Sequence, residues 1–315
     1  MRKPNFLIVG AAKSGTTSLF QYLRGHPDVF MPELKEASYF AGGGIRTEAE
    51  YLGLFQRAET ERAVGEASGA YLYPPTTAAA IRELLGPTVR IVIILRNPID
   101  MAYSLWGHMV RAGGEDLAFF DAVRAEEGRM ADPEFHRLAK GWSYNFAYVR
   151  RARYAQQVAR YLSTFQSGVR VLVFEEFFAD VSTGFSELCR FLEVATDYRP
   201  IFHAFNRSGV VRSALLRRIL DEPTPWKDVV KALTPDVPRL KIKAWLSEIN
   251  HQDRGLPPLT PAERERLWRL FAPDVAELAT LLGRPLDCWS AQPTRISTAR
   301  QVGGAPAPHG SAHGS

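Results

Sequence analysis

The most constraining feature of the chain is a short apolar run that leads through a glycine-rich turn into a helical pattern. Residues 6–27 read FLIVGAAKSGTTSLFQYLRGHP, and the run at 6–9 has the length and branched content of a buried strand. The following helix is predicted to end at Arg24, before Gly25 and Pro27. Glycines let such a turn point its N–H groups inward, and the helix adds its positive dipole end. The segment therefore predicts a phosphate-binding loop.

The position of the lysine in this loop indicates which phosphate compound it binds. A nucleoside-triphosphatase loop reads G-x-x-x-x-G-K-[ST], with the lysine after the second glycine, where it reaches the β and γ phosphates. Here the lysine precedes the second glycine, so its ammonium lies at the mouth of the turn. This order predicts a diphosphate-like ligand that is shorter than the triphosphate of ATP. The residues predicted to hold it are Lys13, Ser14, Gly15, Thr16, Thr17 and Ser18.

Further apolar runs predict the strands of a parallel sheet. They lie at residues 91–95 and 169–174, with a weaker one at 63–66. Helical patterns separate the strands, at residues 16–24, 76–85, 98–111, 144–165 and 181–192. This alternation predicts an α/β fold with a P-loop-type parallel sheet, helices on both faces and functional loops at the carboxyl ends of the strands.

The carboxyl-terminal third has a different pattern. After about residue 198 the strand-like runs stop, and helical pieces such as residues 261–282 predict a helical elaboration. Residues 292–315 are rich in Gly, Ala, Pro, Ser and His without periodicity, which is typical of a disordered tail. We expect residues 1–291 to form a single domain, since this length suits one α/β unit.

Composition excludes several classes of protein. A net charge of +5 spread over 315 residues is too modest to imply nucleic acid binding. The two cysteines, Cys189 and Cys288, are too few for a disulfide framework or a clustered metal site. No run has the roughly 20 apolar residues of a membrane span, and the first strand begins too early for a signal peptide. We expect a soluble cytoplasmic protein.

A second anion site is predicted where the run at residues 91–95 ends. Arg96 follows this buried strand, Asn97 can cap the next helix and Pro98 suits its first position. Ser104 lies two turns into that helix. A guanidinium matches a phosphate in a bidentate way, so Arg96 and Ser104 can clamp a second phosphate. The alternative is that Arg96 is a surface ion-pair residue and Ser104 a small residue of helix packing.

Together these segments resemble the sulfotransferases that use 3'-phosphoadenosine 5'-phosphosulfate (PAPS). The KSGTT run at 13–17 is similar to the family's K-x-G-T-[TS] core for the 5'-phosphosulfate, and LRNPIDMAYS to its 3'-phosphate motif with Arg96 and Ser104. Residues 171–177, 185–194 and 281–289 extend the resemblance. Arg212 and Ser213 lie where the family places a loop that closes over the cofactor, and that segment is either such a loop or a solvated basic helix.

The resemblance also implies a general base. The segment KEASYF is similar to the family's K-E-x-x-[FY]-F, which assigns the base to Glu36, and Tyr39 and Phe40 would give it an apolar neighbourhood. The alternative is that Lys35 and Glu36 form a solvated ion pair. His108, one turn beyond Ser104, is the competing candidate. Where heparan-type members carry a second lysine after G-E, this chain has alanine at position 67.

The predicted reaction moves a sulfuryl group from PAPS to a hydroxyl or amine of a small-molecule, lipid or carbohydrate acceptor and leaves 3'-phosphoadenosine 5'-phosphate (PAP). No metal is required, because a sulfuryl group bears less charge than a phosphoryl group. One alternative is an ATP-dependent kinase or NTPase with Glu175 or Glu176 organising a metal. Another is a non-catalytic nucleotide-binding protein. Acceptor identity and oligomeric state do not follow from the sequence.

Overall fold

A five-stranded parallel sheet forms the centre of the protein, as predicted. The computed structural model describes residues 2–42, 44–139, 142–200, 210–211, 251–252 and 256–293. The strands are β1 (Phe6–Gly10), β2 (Val29–Phe30), β3 (Ala63–Ala67), β4 (Arg90–Leu95) and β5 (Val169–Val173), in the order β2-β3-β1-β4-β5. All four pairings are parallel. The predicted α/β class is confirmed, and β2 is a strand that the sequence did not indicate.

Helices cover both faces of this sheet. In the described part of the chain they are α1 (Thr16–Arg24), α2 (Glu48–Gly53), α3 (Thr77–Leu85), α4 (Pro98–Ala112), α5 (Phe119–Ala131), α6 (Pro133–Leu138), α7 (Tyr148–Ala152), α8 (Ala155–Phe165), α9 (Phe174–Ala179), α10 (Val181–Leu192) and α11 (Pro261–Leu282). Phe6 and Ile8 pack under α1 and α10, whereas Leu7 and Val9 pack under α3, α4, α8 and α11. Side chains alternate between the faces of a strand, so a strand buried on both faces is apolar throughout.

The strand order creates a crevice between the carboxyl ends of β1 and β4. The chain leaves β1 towards β2 on one side and leaves β4 towards β5 on the other. Loops that diverge from two neighbouring parallel strands leave an opening between them, where open α/β sheets bind their ligands. The two predicted anion-binding segments follow these two strands.

The predicted long helix over residues 144–165 is wrong. The segment is divided into a 3-10 turn (Ser143–Phe146), α7 and α8. Asp274 in α11 accepts hydrogen bonds from the amides of Tyr154 (2.6 Å) and Ala155 (3.3 Å) and so caps the start of α8. The side-chain amide of Gln157 donates to the backbone carbonyls of Arg150 and Arg151 at the end of α7. The break is stabilised by a residue far away in the sequence.

One other expectation, about the carboxyl-terminal third, needs correction. Strands do not stop near residue 198, because β6 (Val210–Val211) pairs antiparallel with β7 (His251–Gln252). Short pairs of this kind leave no periodic pattern, since backbone hydrogen bonds rather than a buried face define them. Of the predicted tail at 292–315, residues 294–315 lie outside the described residues.

Candidate active site

The loop between β1 and α1 is the first component of the site. Ala11 N–H donates to the carbonyl of Ile94 (2.6 Å), which ties the loop to β4. Gly15 caps α1 with φ of 90°, and a Cβ there would lie 2.8 Å from the Phe178 ring. Among the described residues no side chain caps this helix, so its first amides are left to bind an anion. Residues 13–18 thus form one turn and the start of one helix, as predicted.

Arg96 joins the second predicted anion site to this loop. It is half-buried, and its Nη1 donates a hydrogen bond to the carbonyl of Lys13 (3.3 Å). The guanidinium lies 4.9 Å from the centre of the Phe174 ring, and the Tyr154 hydroxyl donates to the Arg96 carbonyl (3.0 Å). The aromatic contact and the backbone hydrogen bond hold the arginine at the crevice.

The turn after Arg96 is fixed by a buried acid. The Asn97 side chain caps α4, since its Oδ1 accepts a hydrogen bond from Ile99 N–H (3.0 Å). The backbone N–H of Asn97 donates to Glu175 Oε1 (2.8 Å). The indole of Trp289 donates to Glu175 Oε2 (2.7 Å), and burial raises the pKa of Glu175. Both carboxylate oxygens therefore accept hydrogen bonds from protein groups.

Glu176 is also engaged with the carboxyl-terminal part of the chain, through an ion pair with Arg284 (2.8 Å). The kinase interpretation required one of these two acids to organise a metal. In the described ranges, no group of three His, Cys, Asp or Glu side chains is placed to hold a metal ion.

One face of α4 lines the same crevice. Ser104, His108 and Arg111 are spaced by four and three residues, which places them on one side of a helix. His108 is exposed on the open side. Its pKa is lowered to about 4 by the protein atoms around the rest of the ring and then by the positive charges of Lys13, Arg111 and Arg151. The structure thus brings His108 close to the loop.

Lys13 lies among other cations. Its pKa is lowered to about 8, first by burial and then by Arg111, Arg96 and Lys35, while Glu36 opposes the shift. We call Lys13, Lys35, Arg96 and Arg111 the cation cluster. Like charges held this close destabilise one another, so the arrangement favours binding of an anion with several charges.

Glu36 lies beside the phosphate loop. Its N–H donates to the Ala67 carbonyl (3.0 Å), and its Oε2 accepts from Gly69 N–H (2.9 Å). A Cβ on Gly69 would lie 3.5 Å from Ala12 Cα and 3.7 Å from Glu36 Oε1, so carboxylate and loop are close neighbours. Lys35 forms an ion pair with Glu36 Oε1. The ion pair that the alternative interpretation predicted is present, and it lies beside the phosphate loop.

The expected apolar neighbourhood of Glu36 is absent from the described part of the site. The side chain of Glu36 is 44% exposed, and the contacts of its carboxylate given above are polar. Tyr39 and Phe40 instead pack on Tyr51, with ring centres 4.8 and 5.2 Å away. Both rings therefore belong to the hydrophobic packing around Tyr51.

Arg151 is a site residue that the sequence did not indicate. It is 4% exposed, and it donates to the Gly69 carbonyl (3.2 Å) and to Asn145 Oδ1 (2.7 Å). Its guanidinium lies 5.0 Å from the centre of the Trp142 ring. Burial lowers its pKa to about 10, and the charge of Glu36 opposes that shift. Arg151 thus places positive charge behind the Glu36 carboxylate.

Two of the predicted cofactor residues have no described position. Arg212 and Ser213 lie outside the described residues, so their contact with a 3'-phosphate stays a prediction. Across the described ranges, we find no helix whose length and apolar content would let it cross a membrane.

The known proteins that resemble this chain are sulfotransferases. The model of the family described as "Sulfotransferase domain" matches residues 3–211. A crystal structure of a sulfotransferase from Alicyclobacillus acidocaldarius superposes with a TM-score of 0.68 and 33% identity, over 92% of this chain and 99% of that one.

Curated relatives match over shorter stretches. The bifunctional heparan sulfate N-deacetylase/N-sulfotransferase 4 of Mus musculus is 27% identical over 62% of this chain. The heparan sulfate glucosamine 3-O-sulfotransferase 6 of Mus musculus is 34% identical over 33% of this chain, and a membrane-associated sulfotransferase of Dictyostelium discoideum is 33% identical over 32%. The matches span only 23%, 30% and 22% of the length of these relatives.

Proposed function

Because the chain belongs to the sulfotransferase family, we propose that it moves a sulfuryl group from PAPS to a hydroxyl or amine of an acceptor. The observation that carries this proposal is the contact between Arg96 and the carbonyl of Lys13, which joins two anion sites at one crevice. A donor with a phosphosulfate at one end and a 3'-phosphate at the other matches two such sites.

The residues present suit this donor. The uncapped amides at the start of α1 and the Lys13 ammonium would hold the phosphosulfate, and Gly15, with its positive φ and its packing against the Phe178 and Phe174 rings, would shape the turn. Arg96 would hold the 3'-phosphate, with Ser104 on the adjoining helix and Arg212 and Ser213 as further proposed contacts. The cation cluster would offset the charge of the donor.

Each side chain then has a role in an in-line displacement. When bound, PAPS supplies a sulfur atom whose bond to the phosphate oxygen breaks as the acceptor oxygen or nitrogen bonds to it. Lys13 would stabilise the negative charge that grows on the leaving phosphate oxygen. Glu36, whose carboxylate lies beside Gly69 and the loop, would take the proton from the acceptor.

For the acceptor we propose a carbohydrate first, with a small molecule or a lipid as the other classes. Two of the relatives are named for heparan sulfate. Trp142 and Tyr144, half-buried near Arg151, are aromatic surfaces of the kind that stack on sugar rings. The second lysine of heparan-type members is replaced by Ala67, so the acceptor is expected to differ from heparan.

The proposal is tested by ligand binding and by transfer. PAP is expected to bind without Mg²⁺ and more tightly than ATP with Mg²⁺ in calorimetric titrations. Radiolabelled sulfate from PAPS is then offered to a panel of amino sugars, oligosaccharides, phenols and primary alcohols. Preference for ATP with Mg²⁺ would support the kinase alternative, and PAP binding without transfer to any acceptor would support a non-catalytic protein.

Arg96→Ala is expected to weaken PAP binding by about 1.5–3 kcal/mol, roughly ten- to hundredfold, because a charge-assisted contact to the 3'-phosphate is lost. The turnover number at saturating PAPS should fall far less, since this contact is remote from the reacting bond. Titration of PAP into both proteins measures the first effect. Arg269→Ala, on an exposed side chain of α11, is the matched control. Equal PAP affinity of the Arg96 variant and wild type would remove Arg96 from the donor site.

The affinity for PAP should depend on pH through Lys13. The pKa of this ammonium in the free protein is about 8, and bound phosphate raises it by favouring the charged form. Above pH 8 binding must then include uptake of a proton, so the dissociation constant should rise, with a slope of at most about tenfold per pH unit, until the pH passes the pKa of the bound ammonium. Lys13→Arg keeps its charge in this range and should give a flat profile. A flat profile for wild type between pH 7 and 10 would contradict the assignment.

A further inference from the structure

A buried polar group lies directly beneath the segment that carries Glu36. We call Glu66, Ser68 and Tyr71 the Glu66 cluster; all three residues are 0% exposed. The Ser68 hydroxyl donates to Glu66 Oε2 (2.9 Å). Burying a carboxylate in a core costs free energy that an apolar residue of similar shape avoids. A carboxylate at this position therefore calls for a role other than packing.

The cluster contacts the backbone just after Glu36. Ser38 N–H donates to the Ser68 hydroxyl (3.0 Å), and Tyr39 N–H donates to the Tyr71 hydroxyl (3.0 Å). Because each hydroxyl accepts from an amide, its own hydrogen is available for Glu66. Ser68 donates to Glu66 directly, and the Tyr71 hydroxyl lies near enough to the same carboxylate to lower its pKa. Glu66 thus orients the Ser68 hydroxyl and faces the Tyr71 hydroxyl, and these two hydroxyls hold two successive amides.

The held segment has an unfavourable backbone conformation. Glu36 has φ of 63° and Ser38 has φ of 50°, in the left-handed region that residues with a side chain rarely adopt. Such conformations persist only where surrounding contacts over-determine them. The Glu36 side chain itself is exposed, so packing against it does not provide that restraint.

We propose that Glu66, acting through Ser68 and Tyr71, is a positioning residue that holds Glu36 beside the phosphate loop. This inference rests on the proposed function, in which Glu36 takes the acceptor proton. It assigns Glu66 no contact with donor or acceptor. Loss of the two hydroxyls would let residues 36–39 relax and withdraw Glu36 from Gly69.

The test combines a double variant with removal of the base. Ser68→Ala with Tyr71→Phe is expected to lower the turnover number about ten- to hundredfold, because small displacements of a catalytic group have effects of this size. The KM for PAPS should stay within about twofold. In a Glu36→Gln background the same pair should change the residual rate less than about twofold, because no carboxylate remains to be positioned.

A backbone measurement tests the anchoring itself without an acceptor. Hydrogen exchange of the Ser38 and Tyr39 amides should become faster in the double variant, while exchange in α1 stays unchanged. Tyr148→Phe is the matched control, because that buried hydroxyl also donates to a buried carboxylate, Glu115 Oε2 (2.8 Å). This control should leave turnover and the exchange of both amides unchanged.

The outcomes separate this inference from the proposed function. The positioning role is wrong if wild type transfers sulfate but the double variant has normal turnover. It is also wrong if the two substitutions lower the turnover number equally in the wild-type and Glu36→Gln backgrounds. Unchanged exchange of the two amides also overturns it, whatever the protein transfers. Lack of transfer by wild type with every acceptor would instead overturn the proposed function.

Discussion

Replacing Lys13 with alanine is expected to lower the turnover number by about 10²–10³-fold, equivalent to roughly 2.7–4 kcal/mol of transition-state stabilisation. In the proposed reaction the leaving phosphate oxygen gains negative charge as its bond to sulfur breaks, and Lys13 would be the cation at that end of the donor. A preorganised charge in a partly buried site stabilises this change more than water does. Single-turnover kinetics with radiolabelled PAPS measure the step directly.

The control for this variant is Lys3→Ala, which removes an exposed ammonium whose contact is with the Leu84 carbonyl. Its turnover and PAP affinity should match those of wild type. Because removal of Lys13 also relieves repulsion with Arg96 and Arg111, the variant is expected to lose much less in PAP affinity than in rate. A turnover number equal to that of wild type would remove Lys13 from the reacting end of the donor.

The fold could be predicted where local sequence and tertiary structure favour the same conformation. The strand, turn and helix from residue 6 to 24 carry their own start and stop signals, and α1 has the predicted bounds. The break between α7 and α8 has no such local signal. It depends on Asp274, which lies close because α11 packs on α8. Contacts between residues so far apart in the chain are not encoded in any short window.

The site divides in a similar way. Lys13 and Arg96 follow buried strands in recognisable motifs, and parallel strands bring those ends together. Arg111 could also have been found, because it continues the helical spacing of Ser104 and His108. Arg151 could not, since the run at 150–153 offers three arginines and only the folded structure shows that the second is buried against Gly69. For Glu66, the sequence indicates only that the next residue is Ala67 rather than lysine, and not that Glu66 is buried near Glu36.

Glu36→Gln is expected to lower the turnover number by about 10²–10⁴-fold, the usual contribution of a positioned general base. The amide keeps the shape of the side chain and can still accept the hydrogen bond from Gly69 N–H, but it cannot take a proton. PAP affinity should therefore stay close to that of wild type. The matched control is Glu33→Gln, three residues before Glu36, which changes an exposed carboxylate paired with Arg57.

His108→Ala decides between the two candidate bases. A neutral imidazole with a pKa of about 4 is a poor proton acceptor near pH 7, because the imidazolium would form next to Lys13, Arg111 and Arg151. We therefore expect its removal to lower the turnover number by less than about tenfold. A larger loss in His108→Ala than in Glu36→Gln would transfer the role to His108.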